Sequence, residues 1–540
     1  MMDDVSRPDG SKADAASAAM NVPLTAREGP PPSWGELVSL LAIVLLADTT
    51  IYRGGGYSGW AAMLAATPAL LFAGAARRRL GPSLALFGAM LLLAAAKLLW
   101  SGTLVAIVVG TALIPLYAMS LAGRRPYILD AASFTASLVS SGARGFAAYG
   151  RRGLEIGRRF APSNAITIAL PAAVGIAFSL VFVLANPDLV QSLSETLSRY
   201  FSDIRSWLSQ ISVGECLFLL GVGWTAVGLL RPTFGPARAR TDTDNLATYP
   251  QDELAEIAPR PLYLAWRNTL TVVISIYAVY LAFEFRTLWF RVFPDGFYYS
   301  GYAHEGAAWL TIGLALATSI LSLVFRGRIL QDRRVGRLQW LALVWSIENF
   351  FLAASVYNRL LIYIRFNGLT NMRIVGLYGV SAVVVGFLLV LLKIVLRRDF
   401  AWLLQRHLWT VSLAVYLYAL TPVDLLTTRY NVDRVLAGDL APSVQLSEHP
   451  LSAEGLLELE PLLNSSNAVI KDGVAALLDK RRAESETDES RESNWTAYQL
   501  SETRFRVRCR TAPIATIHFS NAVDRQSAWA RFREYAYQWY

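Results

Sequence analysis

YAHEGAAWLTIGLALATSILSLVF, Tyr302 to Phe325, carries no charged residue beyond Glu305. At about 1.5 Å of rise per residue, a helix of this length crosses a hydrocarbon core about 30 Å thick. Its entrance holds His304 beside Glu305, a proton-exchanging pair at a boundary that most spans mark with Trp or Tyr. Further runs qualify near 34–52, 59–76, 82–100, 102–121, 165–185, 211–230, 264–287, 338–363, 373–396 and 403–421. With 54% hydrophobic and 17% charged residues over 540 positions, the chain is too apolar for an ordinary soluble multidomain protein. The expected fold is an all-α polytopic membrane protein with about 11 transmembrane helices over 34–424 and a small, mixed or partly disordered extramembrane region over 425–540.

The formal net charge of +9 does not point to nucleic acid, because the arginines are dispersed among short segments between apolar runs. Topology explains them. Counted from an inside N-terminus, the even-numbered connections and the N-terminal tail hold about 25 basic residues, including Arg77, Arg124, Arg159, Arg231, Arg334 and Arg397, against about 7 on the other side. The bias predicts a cell (inner) membrane protein with residues 1–33 as a disordered cytoplasmic tail, the first span as an uncleaved signal-anchor, and 425–540 extracytoplasmic. The parity of the count turns on Ser101 and Gly102, where two runs abut: a tight hairpin leaves the C-terminal region outside, and a single broken unit puts it inside.

Two connections have helical patterning. Leu189, Leu193, Leu197, Phe201, Ile204 and Leu208 recur at helical spacing, as in an amphipathic helix lying on the interface or packed on the bundle. Segment 131–160 pairs apolar residues with Arg144, Arg151, Arg152, Arg158 and Arg159, which suits anionic headgroups. In the tail, LLELEPLL (456–463) and AVIKDGVAALLDK (468–480) read as short helices and AESETDESRES (483–493) as a solvated linker. RFRVRCR (504–510) reads as a strand by its alternation, and SAWARFREYAYQWY (527–540) as an aromatic, helical ending. Cys216 in an apolar run and Cys509 in the tail are not expected to meet, and neither sits in a metal-type cluster.

Three stretches are more distinctive: Tyr302-Ala303-His304-Glu305-Gly306; Arg359-Leu360 through Tyr363-Ile364 to Asn367-Gly368-Leu369-Thr370 and Arg373; and Thr428-Arg429-Tyr430-Asn431-Val432-Asp433-Arg434. Together they resemble the bacterial multi-pass family catalogued as domain of unknown function 4153/4173. That family shows Tyr-Ala-Arg-(Arg/Glu)-Gly, Arg-Leu...Tyr...Tyr-Gly-Leu-Thr...Arg and Ala-Arg-Tyr-Asn-Ile-Glu-Arg in the same order. Trp495 to Ser501 echoes a further element, so the likeness covers roughly 260–500. His304 replaces the usual Arg and Asn367 the usual Tyr. The resemblance implies a fold and no activity.

Ionisable residues inside spans are costly, about 2.5–3.5 kcal/mol near the centre on insertion scales, so each needs a reason. By the span map, Asp48, Lys97, Glu284, Arg286, His304, Glu305 and Arg359 fall in the outer half, while Glu348 lies near the middle. Glu348, Leu352, Ser355 and Arg359 share one face of the ninth span. One reading is an outward-open polar pocket between spans seven, eight and nine, with Arg286 and Arg359 holding an anion or headgroup and Glu305, Glu348 or His304 exchanging protons. The other is interfacial: the end-of-span charges snorkel, Glu348 fixes helix packing, and Asn349 and Asn358 add hydrogen bonds between helices.

Sharper signatures are absent. Gly54-Gly55-Gly56 reads as a turn, Gly221 and Gly223 as helix-packing positions, and His407, His449 and His518 are isolated in sequence. There is no nucleophile elbow, Walker loop or nucleic-acid module, and no catalytic residue, cofactor or metal is assigned. The sequence therefore supports a non-enzymatic envelope protein that binds, senses or carries a small polar or lipid-derived ligand at Glu284, Arg286, His304, Glu305, Glu348 and Arg359. Its partners would be the bilayer and anionic headgroups or a lipid-linked envelope precursor. The alternatives are a transferase using a lipid-linked donor, with Asp48, Glu305 or Glu348 as base, and a membrane scaffold whose tail docks proteins.

Overall fold

The computed structural model describes residues 31–75, 78–160, 174–175, 212–232, 260–286, 299–324, 334–396, 398, 400–489, 494–511, 514, 517 and 519–539. Helix α1 (Trp34–Ala47) starts where the Ser33 hydroxyl accepts from the Glu36 amide, and a π-helical turn, Asp48–Tyr52, completes the first run. Helix α2 (Tyr57–Gly74) follows the glycine turn, and α3 (Pro82–Trp100) begins with Pro at its first position. Helix α4 (Leu104–Leu121) is capped by Thr103.

The chain breaks at Ser101–Thr103, and at the opposite end the Arg79 amide donates to the Leu121 carbonyl at 3.0 Å. Helices α3 and α4 are therefore an antiparallel hairpin and not one broken unit. Next come α5 (Ile128–Phe160), a long amphipathic helix, and α6 (Val213–Leu230), against which it packs. Helices α7 (Arg260–Glu284), α8 (Tyr299–Val324), α9 (Val335–Asn367) and α10 (Asn371–Val395) form a second group, and α11 (Phe400–Leu420) joins the two.

Among the described residues, seven helices are long and apolar enough to cross a membrane. There are up to eight if α11 and the next helix, α12 (Val423–Leu436), bent by 65°, make one span. The expected count of about 11 is not reached within them. The run near 165–185 and the patterned segment 189–208 lie outside the described residues apart from 174–175. The runs at 59–76 and 303–325 do form helices, α2 and α8, but neither is among the seven. Ser58, Thr67 and Pro68 lower the hydropathy of α2, and the described apolar part of α8 is only Trp309–Leu321. On α7, Val272, Ile276, Val279 and Phe283 form an exposed stripe. Such a stripe suits lipid, which is as apolar as the side chains that meet it.

The C-terminal region is helical throughout its described residues. Short helices α13 (Ser443–Glu448) and α14 (Ala453–Leu457) precede α15 (Ala468–Glu489), α16 (Leu500–Cys509) and α17 (Ala522–Tyr537). Leu456, Leu462, Val474, Leu478, Phe505 and Phe532 fill its core. Two expectations are overturned. RFRVRCR is the end of α16 and not a strand: Phe505 is 0% exposed and Cys509 6%, but Val507 between them is 59% exposed. A strand would have buried all three on one face, whereas a helix buries i and i+4. AESETDESRES is not a linker in its first half, because α15 continues to Glu489 and buried Ser485 accepts from Arg506 Nε at 3.1 Å.

The seat of this region on the bundle is specific. Lys97 Nζ lies 3.7 Å from Glu454 Oε1 and Trp100 Nε1 donates to Glu454 Oε2 at 2.7 Å, all within a buried junction. Thr496 donates to the Gly54 carbonyl at 2.5 Å, and Gln499 accepts from the Gly102 amide at 2.8 Å. A β-carbon on Gly56 would fall 2.2 Å from the Thr496 carbonyl oxygen, so only glycine admits this strap. The turns after α1, α3 and α9 thus lie at one end of the bundle, together with the C-terminal region. Arg231, Tyr149 and Glu36 meet at the other end, where Arg231 pairs with Glu36 and Tyr149 donates to it at 2.6 Å.

Candidate functional site

Spans seven, eight and nine do meet. Glu284, the last residue of α7, is 0% exposed and Arg359 of α9 is 2% exposed. Arg359 Nε donates to Glu284 Oε1 at 2.8 Å while its Nη2 donates to Oε2 and, at 3.2 Å, to the Tyr280 hydroxyl. Tyr280 in turn donates to Glu284 Oε2 at 3.0 Å. Gly306 of α8 closes the node: a β-carbon there would lie 2.0 Å from Arg359 Nη1. The glycine of the first motif is thus a packing requirement set by the arginine of the second. A forked, two-bond pair of this kind satisfies both charges, so an anion would reach Arg359 only by displacing Glu284.

The other four sequence-predicted residues are placed differently. Arg286, two residues past Glu284, is exposed. His304 and Glu305 lie on α8, but their side chains are outside the described residues. Glu348 is half-buried, eleven residues before Arg359 and so about 16 Å along the helix. Its Oε2 is buried with no hydrogen-bond partner among the described residues, as are Trp345 Nε1 and Asn349 Oδ1 beside it. Glu348 therefore does not join the ion pair.

The second and third motifs build one corner. Helix α9 ends at Gly368, whose φ of 83° suits glycine, and Thr370 caps α10. Asn431 of α12 then clamps the turn: its Oδ1 accepts from the Leu369 amide at 2.7 Å and its Nδ2 donates to the Leu369 carbonyl at 2.8 Å. Arg373 stacks 3.9 Å over Tyr363 and donates to the Gly368 carbonyl. Arg434 donates to the Ile364 carbonyl at 3.2 Å and pairs with Asp439.

This corner holds a cavity of about 610 Å³ in the elbow where α12 bends 65° away from α11 beside α10. Leu369, Ile374 and Leu377 give it an apolar floor, and the more exposed Leu426 completes the apolar lining. Tyr378 and Thr421, hydrogen-bonded to each other at 2.8 Å, stand with Ser381 on one wall. Arg429, Tyr430 and Asp433 of α12 form the rim. Arg429 and Asp433 are exposed, one helical turn apart, and neither side chain has an ion-pair or hydrogen-bond partner among the described residues. Sequence reasoning quoted this motif without assigning these two residues. The available signal was an Arg and an Asp at i, i+4 directly after the last span, where a plain interfacial anchor needs only a cation.

Among the described residues, no cluster of three or more His, Cys, Asp or Glu could hold a metal ion. His407 Nδ1 lies 3.0 Å from the Leu403 carbonyl, His449 Nε2 lies 3.1 Å from Gln445 Oε1, and His518 is outside the described residues. Both cysteines are free.

Apolar helices of span length, an exposed apolar stripe and buried charges paired across helices define a multi-pass α-helical membrane protein. The chain belongs to the family described as "Domain of unknown function (DUF4153)", whose model matches residues 40–462. The match differs from the 260–500 inferred from motifs. It includes α1 to α6, whose apolar sequences offer few distinctive residues to recognise, and it stops before Trp495–Ser501. No curated protein and no solved structure matches the chain.

Proposed function

We propose that this protein is a non-enzymatic envelope protein that binds a lipid-derived ligand in the elbow cavity of α10, α11 and α12. One observation carries the reading: an apolar floor along a membrane-spanning helix meets a charged rim whose Arg429 has no partner among the described residues. Binding pockets for small amphiphiles pair an apolar body with a few placed polar groups in this way, within about 300–1,000 Å³. The Glu284–Arg359–Gly306 node serves the cavity from below, because it fixes the end of α9 from which the Leu369 turn springs. Arg286, His304 and Glu305 border that node in sequence, Arg286 as a cation for a headgroup and His304 and Glu305 as proton-exchanging groups, with Glu348 deeper along α9. The positive-inside bias supports an orientation in an inner membrane with the cavity and the C-terminal region on the outer side and the N-terminus in the cytoplasm.

The test uses the full chain, delipidated in detergent. Adding back mixed short-chain phospholipids should raise its unfolding temperature, and Leu377→Trp, which fills the floor, should remove that gain. An equal gain in both proteins retires the cavity as the binding site.

A further inference from the structure

Resting on that reading, the rim also specifies a headgroup. Arg429 and Asp433 project into one cavity from successive turns of α12, yet they do not pair with each other, although an Arg and a carboxylate at i, i+4 are well placed to do so. Two neighbouring cations at this corner are already engaged: Arg434 is held by Asp439, and Arg373 by the Gly368 carbonyl and the Tyr363 ring. Among the described residues that line the cavity, one cation and one anion stay open, about one turn apart, beside apolar side chains. We propose that the cavity selects a zwitterionic phospholipid bearing a primary amine, of the phosphoethanolamine type, and that its acyl chain follows Leu377 and Ile374 along α10.

The chemistry follows from donor and acceptor counts. A guanidinium presents a fork of N–H donors matched to phosphate oxygens, and Arg429 supplies it. A primary ammonium has three N–H donors, and the Asp433 carboxylate accepts from them. A quaternary choline has no N–H and cannot make that bond. A glycerol headgroup can place its phosphate on Arg429 but brings no ammonium to Asp433, whose carboxylate stays unpaired and repels the net anionic lipid. The hydroxyls of Tyr378, Thr421 and Ser381 also line the cavity, but their hydrogens are engaged within the protein: Thr421 donates to the Leu417 carbonyl, Ser381 to the Leu377 carbonyl, and Tyr378 bonds Thr421. An anionic polyprenyl-linked headgroup would use Arg429 but leave Asp433 unmatched.

The measurement is native mass spectrometry of the full chain with dihexanoyl phosphatidylethanolamine, phosphatidylcholine and phosphatidylglycerol, checked by lipid-dependent thermal shift. Wild type should hold the ethanolamine lipid about tenfold more tightly than the other two, the factor expected for one additional charged hydrogen bond. Asp433→Asn should abolish that preference, weakening the ethanolamine lipid, which loses its charged acceptor, towards the choline lipid, and raising the glycerol lipid, which loses the repelling carboxylate. Arg429→Ala should weaken all three about tenfold, with Arg429→Lys partly restoring them. Both positions are exposed, and unfolding without lipid checks that the variants fold. Equal binding of the three lipids by wild type, or a preference that survives Asp433→Asn, overturns the headgroup inference and leaves the cavity reading standing. If none binds, or if Leu377→Trp binds as wild type does, the cavity reading falls, and the inference with it.

Discussion

Gly306 and Arg359 are recognisable in sequence as motif residues, but their relation is spatial. The guanidinium occupies the space a β-carbon would need, and Glu284 neutralises it from a third helix. Removing one partner of a buried pair strands a charge, so Arg359→Met should destabilise the protein by about 3–5 kcal/mol, whereas Arg359→Met with Glu284→Leu should recover most of that loss. Thermal or denaturant unfolding of the three proteins in one detergent checks this, and equal losses for single and double variants would exclude the buried-pair account. Cys509 offers a second residue-scale test. Burial pushes its thiol from 9.0 up to about 11. The folded state therefore holds the proton more tightly than the unfolded chain. The stabilisation is complete below about pH 9 and is lost as pH rises towards 11. In a Cys216→Ser background, which removes the exposed second thiol, a maleimide at pH 8 should label Cys509 only slowly until denaturant is added, and prompt labelling of the native protein would contradict this burial.

At the scale of elements, the two misread segments share a cause. Alternation of Arg with Phe505, Val507 and Cys509 mimics period two, but α15 and the 3₁₀ turn Glu460–Asn464 offer partners at helical spacing instead, with Arg508 Nε donating to Glu460 Oε2 at 2.6 Å. Tertiary contact therefore overrode local pattern. Val507→Asp should leave stability within about 0.5 kcal/mol, while Phe505→Ala should cost about 3–5 kcal/mol, and comparable losses at both positions would restore the strand reading. The glycine turn after α1 was legible as a turn, but its occupant was not, because Thr496 arrives from more than four hundred residues away. Gly56→Val should unseat the strap and make the described C-terminal helices more sensitive to limited proteolysis. Unchanged cleavage kinetics would mean that the strap is not what holds the region down.

For the whole molecule, the antiparallel α3–α4 hairpin and the shared end of the turns after α1, α3 and α9 place the C-terminal region opposite the Arg231–Glu36 end of the bundle. Combined with the arginine bias, this predicts that Arg429→Cys, in a Cys216→Ser background, reacts in intact cells with a membrane-impermeant maleimide added outside. Labelling only after permeabilisation would reverse the orientation. Composition and apolar run length were enough to define a polytopic helical bundle, because crossing a bilayer needs only enough consecutive apolar residues whose backbone polar groups are satisfied within a helix. They also placed Glu284 and Arg359 in the same outer half of the bundle, since rise per residue is fixed. What only the tertiary structure decided was which charges cancel and which stay open. Arg359 is committed to Glu284 and Tyr280, while Arg429 and Asp433, one turn apart, do not pair. Pairing depends on ångström-scale approach between distant segments, whereas sequence spacing fixes only position along a single helix.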